Sequence, residues 1–79
     1  MEPLWQYRIV TELWYRPELG TYRTYGIQSR VRRHLRWRTV RLIHDVTADY
    51  QLIRQMTTLF NRYQLCPIHL TDVIYDMLP

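Results

Sequence analysis

Residues 4–15, LWQYRIVTELWY, alternate between two kinds of position: Trp5, Tyr7, Ile9, Leu13 and Tyr15 fall on one side, Gln6, Arg8 and Glu12 on the other. That period, in a run rich in aromatic and β-branched residues, predicts a half-buried strand. RPELGT follows, and Pro17 with Gly20 predicts a hairpin turn. The spacing then predicts a second strand over 21–28, ending just past Gly26, and a third over 35–43. In the third, the apolar members change phase between Trp37 and Val40, so a bulge is expected near Thr39.

After His44 the period becomes helical. Leu52, Ile53, Met56, Leu59, Phe60 and Tyr63 recur on one face, with Arg54, Gln55, Thr58 and Arg62 opposite, predicting a helix over 48–64. Thr47 is read as its N-cap, with Asp49 in the first turn where the helix dipole favours an acid. Pro67 suits a first helical turn, and Leu70, Val73, Ile74, Met77 and Leu78 follow i, i+3, i+4, i+7, i+8, predicting a second helix over 67–78. The reading is one small α+β domain, residues 1–79: a three-stranded antiparallel sheet with two C-terminal helices packed on one face, βββαα. Leu52, Met56, Phe60 and Ile74 are expected to be buried against the sheet.

The helical half carries a resemblance. Tyr25-Gly26-Ile27, Asp45-Val46-Thr47 with Asp49, then Asn61 and Leu65, lead to the densest stretch, Pro67-Ile68-His69-Leu70 with Asp72-Val73-Ile74, Asp76 and Leu78. On these residues the chain resembles a family of short bacterial proteins, mainly from Gram-positive anaerobes, described as a domain of unknown function. The resemblance covers roughly the last half of the chain. Tyr75, where a second acid beside Asp76 is expected, departs from it, and the arginine stretch lies outside it. It implies this fold and a bacterial, cytoplasmic setting, and it implies no activity.

Composition narrows the rest. Cys66 is the only cysteine, which excludes an internal disulfide and fits a reducing compartment. No apolar run approaches the roughly 20 residues of a membrane span, and MEPLWQYRIV lacks the basic and apolar regions of a signal peptide, so a cytoplasmic protein is expected. A chain this short buries only about 60% of its unfolded surface, so its core is marginal.

The charge is uneven. All eleven basic residues are Arg, with no Lys; residues 1–43 hold nine Arg and three Glu, residues 44–79 two Arg and four Asp. Six arginines fall within RVRRHLRWRTVR, 30–41. Arg30, Arg32, Arg33, Arg36 and Arg38 beside Trp37 are candidates for weak, sequence-tolerant binding of single-stranded nucleic acid, by phosphate contact and base stacking. A set of arginines without lysine also fits a GC-rich coding bias, and charged strands discourage sheet-to-sheet aggregation. On those grounds nucleic acid ranks second. A helix-turn-helix reading of the two helices fails on charge, because the second carries Asp72 and Asp76 and no Arg or Lys.

His69, Asp72 and Asp76 lie at i, i+3, i+7 and share a helix face. One helix face does not enclose a metal, so no metal or cofactor is assigned; His69 capping the helix start is the simpler expectation. Cys66 is expected to be a half-buried structural thiol, and His44-Asp45 polar residues before the cap. No enzyme is expected. Eleven aromatics exceed what so small a core encloses, so the favoured function is a protein-interaction or self-associating module. Its candidate surface is Leu4, Val10 and Trp14, on the first strand's face opposite Trp5, Tyr7 and Ile9, because a strand apolar on both sides needs covering on both.

Overall fold

A computed structural model describes residues 3–79. The elements are β1 (Trp5–Arg16), β2 (Gly20–Arg33), β3 (Arg36–Thr47), α1 (Tyr50–Tyr63) and α2 (Leu70–Met77), with a 3₁₀ turn at Pro67–His69 before α2. The strands form one antiparallel sheet in the order β1-β2-β3, so β2 is central and belongs to both hairpins. This is the expected βββαα architecture.

The strands run further than their apolar pattern indicated. β2 continues through Arg33, because Arg30 to Arg33 pair in register with Thr39 to Arg36 although they are charged. β3 continues to Thr47 through an irregularity at His44–Val46, where Asp45 is left-handed (φ 48°). The register also shifts between Ser29 and Arg30, leaving Val40 unpaired, one residue from the predicted bulge. Gly26 sits beneath the second irregularity for a steric reason: a Cβ there would lie 2.5 Å from the Ile43 carbonyl oxygen.

The cap of α1 differs from the sequence reading. Asp49 is the N-cap, its Oδ1 accepting from the amides of Gln51 (3.0 Å) and Leu52 (3.3 Å), while the Thr47 hydroxyl accepts from the Asp49 amide. An acid two residues on outcompetes a hydroxyl, because an ionised oxygen is the stronger acceptor for orphan amides. α1 ends at Gln64, left-handed at φ 51°.

One sheet face takes both helices. The core is Tyr7, Ile27, Val31, Ile53, Met56, Phe60, Leu70 and Ile74, with Leu52 half-buried at its edge. Tyr7 meets Phe60 edge-on, ring centroids 5.5 Å apart. The Tyr7 hydroxyl donates to the Leu65 carbonyl, and burial, helped by Cys66 and opposed by Arg41, pushes its pKa up to about 12. Tyr63, expected on the apolar stripe, is exposed.

Coverage is partial for a reason of length. Fourteen helical residues rise about 21 Å, whereas twelve strand residues extend about 40 Å. α1 therefore spans β1 only from Trp5 to about Thr11, with Tyr50 against Tyr25 at its start and Gln64 against Trp5 at its end. β3 stops pairing at Tyr25, so residues 12–24 project as a two-stranded arm. The β2–β3 turn projects at the opposite end.

Candidate interaction surfaces

The arginine stretch is the second hairpin. Its turn is two residues, His34 and Leu35, both left-handed (φ 50° and 65°), the backbone that tight hairpins require and that Gly or Asn usually supplies. Register assigns the faces. Arg30 and Arg32 lie with Trp37 on the open sheet face; Arg33, Arg36 and Arg38 lie on the other, beyond the helices, and are exposed. Arg33 stands directly opposite Arg36, a like-charge cross-strand pair, which is destabilising. Arg30 bonds Gln6 Oε1 (3.1 Å) and stacks over the Trp37 ring at 5.8 Å. Arg41 is structural, donating to the Pro67 carbonyl (3.3 Å) and Thr71 Oγ1 (2.9 Å), which ties β3 to the start of α2. Arg33, His34, Arg36, Trp37 and Arg38 line an open concavity of about 490 Å³.

Leu4, Val10 and Trp14 do not form one patch. Leu4 precedes the strand, with its carbonyl accepting from Arg32 and its amide donating to Gln64. Ten residues of strand, about 33 Å, separate it from Trp14. Val10 is half-buried opposite Gly26, and Trp14, 39% exposed, rests edge-on against His44. On the arm, the more exposed apolar side chains are instead Leu13 (71%), Tyr15 (68%) and Leu19 (66%). Leu13 and Tyr15 are on the core side of β1, as the alternation predicts, but the helices end before reaching them.

The outer edge of β1 is divided in two. At its start it is closed by helix side chains acting as a substitute strand. Asn61 Oδ1 accepts from the Tyr7 amide (2.7 Å) and Asn61 Nδ2 donates to the Tyr7 carbonyl (3.0 Å). Gln64 Oε1 accepts from the amides of Leu4 and Trp5 (2.9 Å each) and its Nε2 donates to the Trp5 carbonyl (3.0 Å). An antiparallel ladder points every second residue the same way, so Ile9, Thr11, Leu13 and Tyr15 also face outward. Among the described residues, none of their amides or carbonyls has a hydrogen-bond partner.

Sequence reasoning missed a polar knot where the β3 irregularity crosses the open face. Glu12 Oε1 accepts from the Asp45 amide (2.9 Å) and its Oε2 lies 2.5 Å from His44 Nδ1. Asp45 accepts from Thr24 (2.7 Å) and Tyr22 (3.2 Å) and pairs with Arg16 at 3.6 Å. Burial raises the Glu12 pKa, but the His44 and Asp45 hydrogen bonds outweigh it and hold the carboxyl below its ordinary value. These bonds join Glu12 on β1 and Tyr22 and Thr24 on β2 to His44 and Asp45, so the knot locks the irregularity in place.

The remaining candidates are placed simply. His69, Asp72 and Asp76 are exposed, and His69 stands at the α2 N-cap without a side-chain capping bond, contrary to expectation. A ring aimed at solvent cannot reach the amides it would cap. Cys66 is exposed, not half-buried. Among the described residues, no three His, Cys, Asp or Glu are grouped to hold a metal ion, and no helix is long and apolar enough to cross a membrane.

No curated protein and no solved structure matches the chain. One family model does, and it spans residues 1–79, so it includes the arginine hairpin as well as the helical half on which the resemblance rested. The chain belongs to that family, the family of unknown function DUF6514.

Proposed function

We propose that this is a non-enzymatic interaction domain of the bacterial cytoplasm that associates with a second copy of itself by adding strand to strand along the free edge of β1. The observation that carries this is the open edge from Ile9 to Tyr15, lying beside Leu13, Trp14 and Tyr15 on an arm no helix covers. Unpaired edges with apolar flanks are templates for another strand, and main-chain hydrogen bonds supply the affinity. A second copy fits because the strand complements itself. Antiparallel pairing centred on Glu12 sets Ile9 opposite Tyr15 and Val10 opposite Trp14, the aromatic and β-branched pairs that stabilise sheets. Glu12 meets its own copy, but its carboxylate is turned to His44 and Asp45 of its own chain. Arg8 meets Arg16, and Arg16 is drawn to Asp45.

Sedimentation equilibrium tests this directly. The 9.9 kDa chain should show twice its mass at high concentration. Thr11→Pro should reduce it to monomer with its circular dichroism intact, since the Thr11 amide faces outward and the internal ladder does not use it. Leu13→Lys gives the same readout without altering the backbone. A parent that stays monomeric at several hundred micromolar ends the proposal, as does a folded Leu13→Lys that remains a dimer.

A further inference from the structure

We infer that the β2–β3 hairpin is a binding site for duplex DNA, entering the minor groove by its tip. Four observations converge there. From Arg30 to Leu42 the hairpin holds six arginines and no acid. Arg33 and Arg36 are held side by side by the register, a repulsion that a phosphate between them would relieve. The exposed arginines Arg33, Arg36 and Arg38 share one face of the ribbon, with Arg30 and Arg32 half-buried on the other, so the exposed cationic groups form a row along one flank of the tip. Leu35 at the apex is 83% exposed, an apolar side chain with nothing of its own chain to pack on.

That combination suits a groove. A two-residue turn is the narrowest end a protein ribbon has; with strands about 4.8 Å apart centre to centre, it enters a minor groove about 6 Å wide only as the duplex opens around it, which is what an inserted wedge brings about. Proteins that work there place arginines along the walls and insert an apolar wedge between base steps, which kinks the duplex. Leu35 is positioned as that wedge, with Arg33, Arg36 and Arg38, on one face of the ribbon, for the phosphates of the adjoining wall. Single-stranded nucleic acid fits less well than the sequence suggests. The one aromatic available for base stacking, Trp37, is already overlain by Arg30.

The site is independent of the β1 edge, at the other end of β2, so its test does not depend on self-association. Fluorescence anisotropy of the intact chain with a labelled 20-base-pair mixed-sequence duplex should show binding at low salt. The slope of log affinity against log salt should be about −3, from roughly three phosphates at about −0.9 each. Arg33→Ser with Arg36→Ser should lower affinity at least about tenfold and flatten the slope by about 2. Leu35→Ser should keep most of the affinity but remove the bend, read as end-to-end energy transfer across a doubly labelled duplex. No binding of the duplex at about 50 mM salt, an unchanged double variant that is folded by circular dichroism, or an unbent parent complex each overturns the inference. So does tighter binding of a single strand of equal length, or equal binding of poly-glutamate, which would show a general polyanion surface.

Discussion

Two hairpins share β2 and project from opposite ends of the same sheet, yet one is apolar and the other basic. On the β1–β2 arm, Leu13, Trp14, Tyr15 and Leu19 reach solvent beside unpaired backbone. At the β2–β3 tip the ladder closes on a two-residue turn, and arginines occupy both faces. The difference teaches how one small sheet can be adhesive at one end only. Like charges opposed across a strand repel a second copy at the basic tip, so the self-association we propose is confined to the apolar arm. A single reversal of either pattern would remove that polarity.

The largest effect comes from the core on which both hairpins depend. Phe60→Ala removes the ring that meets Tyr7 edge-on and should cost about 3–5 kcal/mol, enough to unfold much of so small a domain. Urea denaturation checks it; a parent-like midpoint would show that α1 does not hold the sheet. Next, Gly26→Ala pushes a methyl into the Ile43 carbonyl beneath the polar knot and should cost about 2–3 kcal/mol. Amide exchange should then rise at His44–Val46 before it rises at the arginine tip, separating the stability of the two ends.

Asn61→Ala sharpens the comparison most directly. It frees the Tyr7 amide and carbonyl, should cost about 1–2 kcal/mol, and lengthens the open edge of β1 by one outward residue. The variant should therefore be less stable and yet associate more strongly, which concentration-dependent sedimentation will show. His34→Gly acts on the other hairpin. It relieves one left-handed non-glycine residue and should stabilise the chain by about 0.5–1 kcal/mol with no change in mass. The smallest effect is acid titration of the knot. Because the Glu12 pKa is lowered on folding, its contribution is complete above the ordinary value of 4.5 and is lost as pH falls through the folded value. Melting temperature should drop in that acid window in the parent and less steeply in Glu12→Gln.

The strands, helices and buried face were legible because each rests on a local period. Met56, Phe60 and Ile74 could be placed in the core from spacing alone. Boundaries were less legible where chemistry and structure part. Arg30 to Arg33 look like a loop yet pair as strand, because at a hairpin tip charged side chains stay in water whichever face they take. The exposure of Leu13 and Tyr15 was hidden by a pattern that assigns faces but not lengths. The rise per residue of helix and strand supplied the missing comparison, 14 helical residues against 12 extended ones. The Glu12–His44–Asp45 knot and the Asn61 and Gln64 amides joined to β1 left no sequence signal, since each depends on residues far apart in the chain. Asn61 belongs to the residues that carry the family resemblance, which does not give its role on the β1 edge.

Those two amides also set an order of events. They join residues 61 and 64 to residues 4–7, sequence separations of 54 to 60, whereas both hairpins close through neighbouring residues. Local hairpins form in about 1–10 μs, but docking the end of α1 onto the start of β1 must first close nearly the whole chain. The edge of β1 is thus sealed last. Until then its entire length is available to a neighbouring chain, and refolding yield should fall as protein concentration rises.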